Sequence, residues 1–472
     1  MFGTSNIFGR TAAVSVILFG WVVGTCNATS FEVKTVEMLK THSRVIAAKS
    51  SAESFREALL TLRKEWLPNL AIAINRGKEF RYNNEAANSG LISSDFNLTL
   101  NQPLFDFGSR SNKIKNALLR LNQAEKTIKL VEQSLLLEAI SAQVNLLNAA
   151  KIVKYSNNSV LNIKRQAQLE DARVLKGAGL STDVLQAKVQ LAGAEGRYNL
   201  SVNTLKASRN RYKAVFGKTV ENEEALVDIV VPGDFVNYDI DNVVSKALSG
   251  NYQLQSLQLA TDIAKNEIRL VKAEQLAPKI DFIAERKFKK NIGGVVGSSQ
   301  ESTIKLQFNY NLNLGLPSLN NINAAKFNYV SSDNQFRDAR QLIEENARNA
   351  FEQYEAVTQN LLTLENQARI SSEFLVLARK ERKLGNRSLI DVLSGESAEI
   401  NAKSDAASAN AQLVIAAYNI LFVMGELTLD TVKFNVSRKA VELKSTFLLE
   451  SNERHTTKII VDSLKVAPSK FE

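Results

Sequence analysis

The ten residues Lys176–Leu185, KGAGLSTDVL, come back 208 positions later as Leu384–Leu393, LGNRSLIDVL. Gly177 answers Gly385, and Asp183-Val184-Leu185 answers Asp391-Val392-Leu393. The same offset pairs Ile114 with Ile322 and Gly217 with Gly425. Each stretch reads as a short turn set between two long helical runs. A unit repeated at this scale fixes the fold class before any local propensity does. The prolines agree: none falls between Pro103 and Pro232, or between Pro317 and Pro468. A helix interior rarely tolerates one, so these gaps permit very long helices.

Taken in order, Val33–Trp66 carries apolar residues at helical spacing, among them Val36, Leu39, Val45, Ala52 and Leu59, and stops at Pro68. The period then changes to two. Leu70–Ile74 and Phe96–Asn101 read as strands of a hairpin, with a polar loop over 77–94. From Ser109 to Lys176 no breaker occurs, and Ile114, Leu121, Ile128, Leu135, Ala142 and Leu146 form a coiled-coil seam. Ser181 or Thr182 is the expected N-cap of the next helix, which ends at Gly217. The connector over 218–239 contains Pro232-Gly233. The second unit then repeats the first: a helix over Ile240–Ala277 up to Pro278, a strand at Ile280–Glu285, and a loop with Gly293, Gly294 and Gly297. A strand follows over Ile304–Leu314, alternating through Leu306, Phe308, Tyr310 and Leu312, then a helix over Ser318–Leu384 and a last helix ending near Gly425. The divisions are therefore 1–28, 29–217, 218–239, 240–428 and a tail over 429–472.

Lengths add a separate constraint. Ser109–Lys176 has 68 residues, so it spans about 100 Å at about 1.5 Å per residue. The pair Val33–Trp66 and Ser181–Gly217, 34 and 37 residues, would cover the same distance stacked end to end. The second unit repeats this arithmetic, which predicts a cylinder of continuous and stacked helices. The four strands alternate apolar with polar, as strands do that face lipid on one side and water on the other. Four strands cannot close on themselves, and open edges do not occur in hydrocarbon. Several chains are expected to share one barrel. The competing reading of the strands is an ordinary soluble sheet with one face on a core.

The first 28 residues read as an export signal, with Arg10, an apolar run over 11–24 and small residues before a cleavage point after Ala28. Cys26 is the sole cysteine, and Val23-Gly24-Thr25-Cys26 offers the alternative of a lipid-modified N-terminus; Thr25 argues against it. No other stretch is expected to cross a membrane as a helix. The net charge of +10 is spread along the helices among acidic residues and predicts a solvated face rather than a nucleic-acid site. With only His42 and His455, no histidine cluster for metal or acid–base chemistry is expected. Gly177-Ala178-Gly179 follows a helix and lacks the lysine of a phosphate loop. These features predict no enzyme and no cofactor. A pore-free periplasmic coiled-coil scaffold is the reading from a different class.

The two turns, with a glycine, a short polar stretch and Asp-Val-Leu between very long helices, resemble those of the TolC family of outer-membrane channel-tunnels, and the resemblance covers residues 30–428. It implies a mainly α chain with a transmembrane β part, assembled as a homotrimer around a shared 12-stranded barrel and an α-helical barrel. It implies a passive conduit, with energy supplied by an inner-membrane partner. Gly385–Leu393, Glu396 and Asn401–Asp405 look more like the type I secretion members than the drug-efflux members. That branch implies a periplasmic adaptor protein, an ABC transporter and a large polypeptide cargo; the efflux branch implies a proton-driven pump. By the same resemblance Asp391 sits where family members narrow the entrance with aspartates, although Ser394 replaces the second one. The competing role for Asp391 is a helix cap. Arg387, Asp183 and Thr182 match positions that latch the mouth, and Gly177 and Gly385 are the turn glycines. Arg382 stands where the family has a tyrosine.

Overall fold

The computed structural model describes residues 31–432 except 83–88, 221–222, 224–225, 232–237 and 312. The leader with Cys26, Pro232-Gly233, Leu312, and the tail from 433 with His455 lie outside the described residues. The first unit runs α1 (Phe31–Thr41), α2 (Ser43–Lys64), β1 (Asn69–Arg81), β2 (Ser89–Phe105), α3 (Ser109–Leu175) and α4 (Ser181–Phe216). The second runs α5 (Ile240–Gly250), α6 (Tyr252–Leu276), β3 (Lys279–Lys290), β4 (Ser298–Asn309), α7 (Pro317–Lys383) and α8 (Leu389–Met424). Both long hairpins keep the 208-residue offset at every boundary: α3 and α7 have 67 residues each, α4 and α8 have 36 each.

The helices pack side by side in a layer. Beside the sheet the order is α2, α3, α6, α7; beside the turns it is α4, α3, α8, α7. Thus α7 follows one edge throughout, and α2 and α4 share the other. The short helices stack end to end as their lengths require. Phe31, opening α1, lies edge-on to Phe216, closing α4, with ring centroids 6.2 Å apart. The main core lies at this junction, where Leu135, Ile140, Val243, Ala347, Ala417, Tyr418 and Met424 are buried together. The connector is part of it: Ile229 is buried, Gln143 donates to the Val227 carbonyl (2.7 Å), and the Tyr418 hydroxyl donates to Val230 (3.2 Å).

Several local expectations are corrected. The helix over Val33–Trp66 is broken at His42, whose imidazole Nδ1 accepts the Arg44 N–H at 3.2 Å. That over Ile240–Ala277 is broken at Asn251, whose side chain accepts from Gln253 and Leu254 N–H. Each side chain competes with the backbone for its own hydrogen bonds, and a helical stripe passes through such a break without losing its period. The loop over 77–94 is largely strand, since pairing continues from Arg76↔Ser94 to Arg81↔Ser89. Apolar alternation marks where strands meet hydrocarbon, whereas the ladder needs only backbone. β4 stops at Asn309 instead of reaching Leu314. Its partner strand begins at Lys279, just after Pro278, and the Asn313 side chain turns the chain by accepting the Gly315 N–H at 3.0 Å. The N-cap of α4 is Leu180, with no side-chain bond, rather than Ser181 or Thr182. Finally, α8 is long and apolar enough to span a membrane, but more than half of its most apolar stretch is buried within the chain. It is a core helix.

Candidate functional site: the strand band and the turn end

The four strands form one antiparallel meander, β1-β2-β3-β4, with free edges at β1 and β4. Paired residues share a face, so the register defines an apolar side through Leu70↔Leu100, Ile72↔Leu98, Ile74↔Phe96, Phe282↔Leu306 and Ile280↔Phe308. Ile304, Leu306 and Phe308 are 75%, 70% and 64% exposed on it, and Tyr310 is exposed just past the strand. Lys305, Gln307 and Asn309 occupy the other side, with Asn97, Thr99, Glu285 and Lys287. There Lys287 pairs with Glu285 at 2.8 Å, Lys289 with Glu301 at 2.9 Å, and Gln307 donates to Asn309 at 2.8 Å.

The apolar band is slanted. Its centre is Ile72 on β1, whose row runs through Leu98 and Arg286 to Ser302 on β4; yet the centre on β4 is Leu306, four residues further along. With about 3.3 Å per residue and about 4.8 Å between strands, that displacement corresponds to a tilt of about 40°. Strands of a closed membrane barrel tilt by a similar angle. A band level with the membrane therefore demands tilted strands, and free edges demand other copies to close the wall.

At the far end of the helices both turns are built alike. Gly177 and Gly385 have φ of +72° and +84°, and the next residues, Ala178 and Asn386, donate to the carbonyls of Arg173 (2.9 Å) and Glu381 (3.0 Å). This pattern satisfies the last carbonyls of α3 and α7 and needs a left-handed residue. Asp391 is exposed in the first turn of α8; the cap is Ser388, whose hydroxyl accepts the Asp391 N–H at 3.2 Å. The carboxylate of Asp391 is thus left facing solvent.

Within one chain Arg387 does not meet Asp183 or Thr182. Its Nε donates to Glu381 at 2.7 Å and its guanidinium lies over the Phe374 ring, 5.2 Å from the centroid. Thr182 is exposed. Next to the turns, Arg382 crosses between the hairpins. It donates to Glu170 on α3 at 3.0 Å and to the Arg387 carbonyl at 3.2 Å, and stands 4.0 Å from the Asp183 carboxylate on α4. Glu170 is buried and also accepts from Arg173 at 3.1 Å. One helical turn above, the buried Glu396 on α8 is bound by Arg379 and, at 3.5 Å, by Asn162. The departure at Arg382 was visible in the sequence; Glu170 had no signal there, because one glutamate in a charged helix looks like its neighbours.

Nearer the main core, Glu138 accepts a two-pronged bond from Arg44, 2.7 Å on each oxygen, and a third from Arg211 at 2.9 Å. The Arg44 hydrogen bonds hold its carboxyl below the usual range. Among the described residues no cluster of His, Cys, Asp or Glu has metal-binding geometry.

Residues 36–218 and 243–426 match the family model for outer membrane efflux proteins. The outer membrane efflux protein BepC of Brucella suis is 22% identical over 437 residues, 90% of this chain and 92% of its own. The outer membrane protein TolC of Escherichia coli is 23% identical, covering 79% of this chain and 77% of its own. The alkaline protease secretion protein AprF of Pseudomonas aeruginosa is 22% identical over 81% of both. Among solved structures, the Campylobacter jejuni CmeC outer membrane channel superposes with TM-score 0.72 at 14% identity, over 87% of this chain and 89% of that one.

Proposed function

The chain belongs to the outer membrane efflux protein family, the TolC-type channels, and from that premise we propose that it is the outer-membrane conduit of a type I protein secretion system. It lies in the outer membrane with its helices in the periplasm. The observation that carries the conduit is the slanted apolar band on a sheet with two free edges. Three copies close it into twelve strands, with Ile304, Leu306, Phe308 and Tyr310 toward lipid and Lys305, Gln307 and Asn309 toward water. Passage is passive. A periplasmic adaptor and an inner-membrane ABC transporter supply contact and energy, and the cargo is a large polypeptide. The residues of the second turn and the likeness to a protein named for protease secretion support this branch.

The same wall brings the turn residues together between copies. The free helix edges beside the turns are α4 and α7, so α7 of one copy abuts α4 of the next. Arg387 then faces the neighbouring Asp183 and Thr182, which form the latch across the seam. Arg382 makes the corresponding link inside each chain. Threefold symmetry converges the exposed Asp391 carboxylates into a cation-attracting ring at the entrance. The second reading, small-molecule efflux with a proton-driven pump, is favoured by the longer match to BepC. Deleting the gene separates them. Loss of a large extracellular polypeptide with unchanged dye and detergent tolerance is the expected result; lost tolerance with an intact secretome assigns efflux.

A further inference from the structure

Beyond the apolar band, on the side away from the helices, the outward face of the sheet turns basic. On β1 the series Leu70, Ile72, Ile74 continues as Arg76 and Lys78; on β3 the series Ile280, Phe282, Ala284 continues as Arg286 and Lys290. Arg76 lies four residues past the band centre Ile72, and Arg286 four past Phe282. Ser94 and Ser302 stand four past Leu98 and Leu306, so guanidinium and hydroxyl groups alternate at one level.

The charges are sorted by face. Among the described strand residues every acid, Glu79, Asp95, Asp281, Glu285 and Glu301, lies on the polar side with its own lysines and Arg81. The outward side carries cations only. None of the four is in an ion pair among the described residues. Arg286 instead donates to Ser302 (2.8 Å) and Gln300 (3.1 Å) and leans on Phe288, 5.1 Å from the centroid; Lys78 lies 4.9 Å from the Phe80 centroid. The other end of the same face, at Gln102, Ile280 and Phe308, is uncharged. Cations on one border only, with no acid beside them, are complementary to an anionic layer on that border. Guanidinium and ammonium groups bound to neutral partners keep donors for phosphate oxygens.

We propose that Arg76, Lys78, Arg286 and Lys290 form a belt that binds the phosphate groups of a phosphorylated glycolipid in the outer leaflet. The proposal rests on the outer-membrane placement of the sheet. The test titrates the detergent-solubilised full-length trimer with bisphosphorylated lipid A, with the same lipid stripped of phosphate, and with inorganic pyrophosphate. Bound lipid is counted by native mass spectrometry and trimer dissociation is followed on heating. Bisphosphorylated lipid A should be retained and should raise the dissociation temperature, and the phosphate-free lipid should do neither. The combined change of Arg76, Lys78, Arg286 and Lys290 to Gln should weaken retention at least tenfold, whereas K287Q with K289Q, on the polar face, should not. Equal retention of the two lipids by the wild-type protein overturns the belt, and this comparison stands even if the fourfold variant fails to assemble. Equal displacement by pyrophosphate in both the wild-type and fourfold variants also overturns it. A trimer that conducts in bilayers yet ignores lipid phosphate removes the belt and leaves the conduit; a protein that inserts into no bilayer removes the conduit itself.

Discussion

The hairpins α3–α4 and α7–α8 have the same lengths and the same boundaries, yet they bury opposite arms. Of the long helices, α3 buries twenty-one residues and α7 ten; of the short ones, α4 buries seven and α8 seventeen. The layer order explains the inversion. α3 and α8 are flanked on both sides, whereas α4 and α7 are edges awaiting another copy. Duplication transmitted backbone length and turn chemistry, while position in the layer set composition. Leu185, Val189 and Leu200 on α4, and Leu362, Ile370 and Leu377 on α7, are exposed in the single chain, as surfaces meant for a neighbour are.

The sharpest way to break this comparison is at its two equivalent C-cap glycines. Gly217 and Gly425 have φ of +72° and +76°. A methyl on Gly217 meets open space, but one on Gly425 collides with the Gly250 carbonyl, where α8 crosses the α5–α6 break. Gln133 and Asn251 also bond the backbone there, at 2.7 and 2.9 Å. Gly217→Ala should cost about 1–2 kcal/mol for the left-handed conformation. Gly425→Ala adds about 1–3 kcal/mol of overpacking that cannot relax by a rotamer change. Urea midpoints of the assembled trimer should fall in that order; equal losses would show that the crossing is not tight.

The strands offer the next test, because Leu98 and Leu306 are themselves repeat equivalents, one on an inner strand and one at an edge. Arginine at either should cost about 2–4 kcal/mol at the membrane midplane, and arginine at Thr99 or Gln307 far less. Assembly yield in outer membranes reads this directly. Matching defects at Leu306 and Gln307 would contradict the register.

At the turns the expected effects are functional. Arg387→Ser and Asp183→Ala should each raise single-channel conductance, with the double change adding little. Arg382→Met should open the mouth further and also destabilise it by about 3 kcal/mol, because Glu170 is buried and keeps only Arg173. Asp391→Asn should reduce cation preference and block by multivalent cations, whereas Asp183→Asn should leave that block intact. If both aspartates behave alike, the two turns are equivalent at the entrance and the ring at Asp391 is wrong.

Much of this was legible beforehand. Hairpin boundaries followed from Gly177, Gly385, Gly217 and Gly425, because a repeated glycine at a helix end reports a backbone requirement that survives divergence. Strand identity followed from the alternation at Ile304–Phe308. Strand length did not, since Arg76–Arg81 pairs through its backbone while its side chains advertise a loop. The breaks at His42 and Asn251 were hidden for the same reason, as the apolar stripe runs on across them. The pairing of Arg382 with Glu170 was out of reach, because it depends on which helices converge at the turns and the two residues stand 212 positions apart.

The smallest expected effect separates the two halves electrostatically. Glu138 in the first unit corresponds to Asn346 in the second, by the same offset of 208. Glu138 is held by Arg44 and Arg211, and its folded-state pKa lies below its ordinary value. A depressed carboxylate contributes stability above the unfolded value of about 4.3, and that contribution disappears as the pH falls through the folded value. Arg44 and Arg211 remain half exposed, so solvent screening limits the gain to about 1 kcal/mol. Glu138→Gln should therefore lower the urea midpoint slightly at pH 7 and by progressively less as the pH falls through the folded value, whereas Asn346→Asp should shift it little at either end. The first half would thus carry an acid-sensitive clamp at a position where the second has the uncharged Asn346. A Glu138→Gln variant that loses as much stability at pH 3 as at pH 7 would trace the loss to packing around the side chain rather than to its charge.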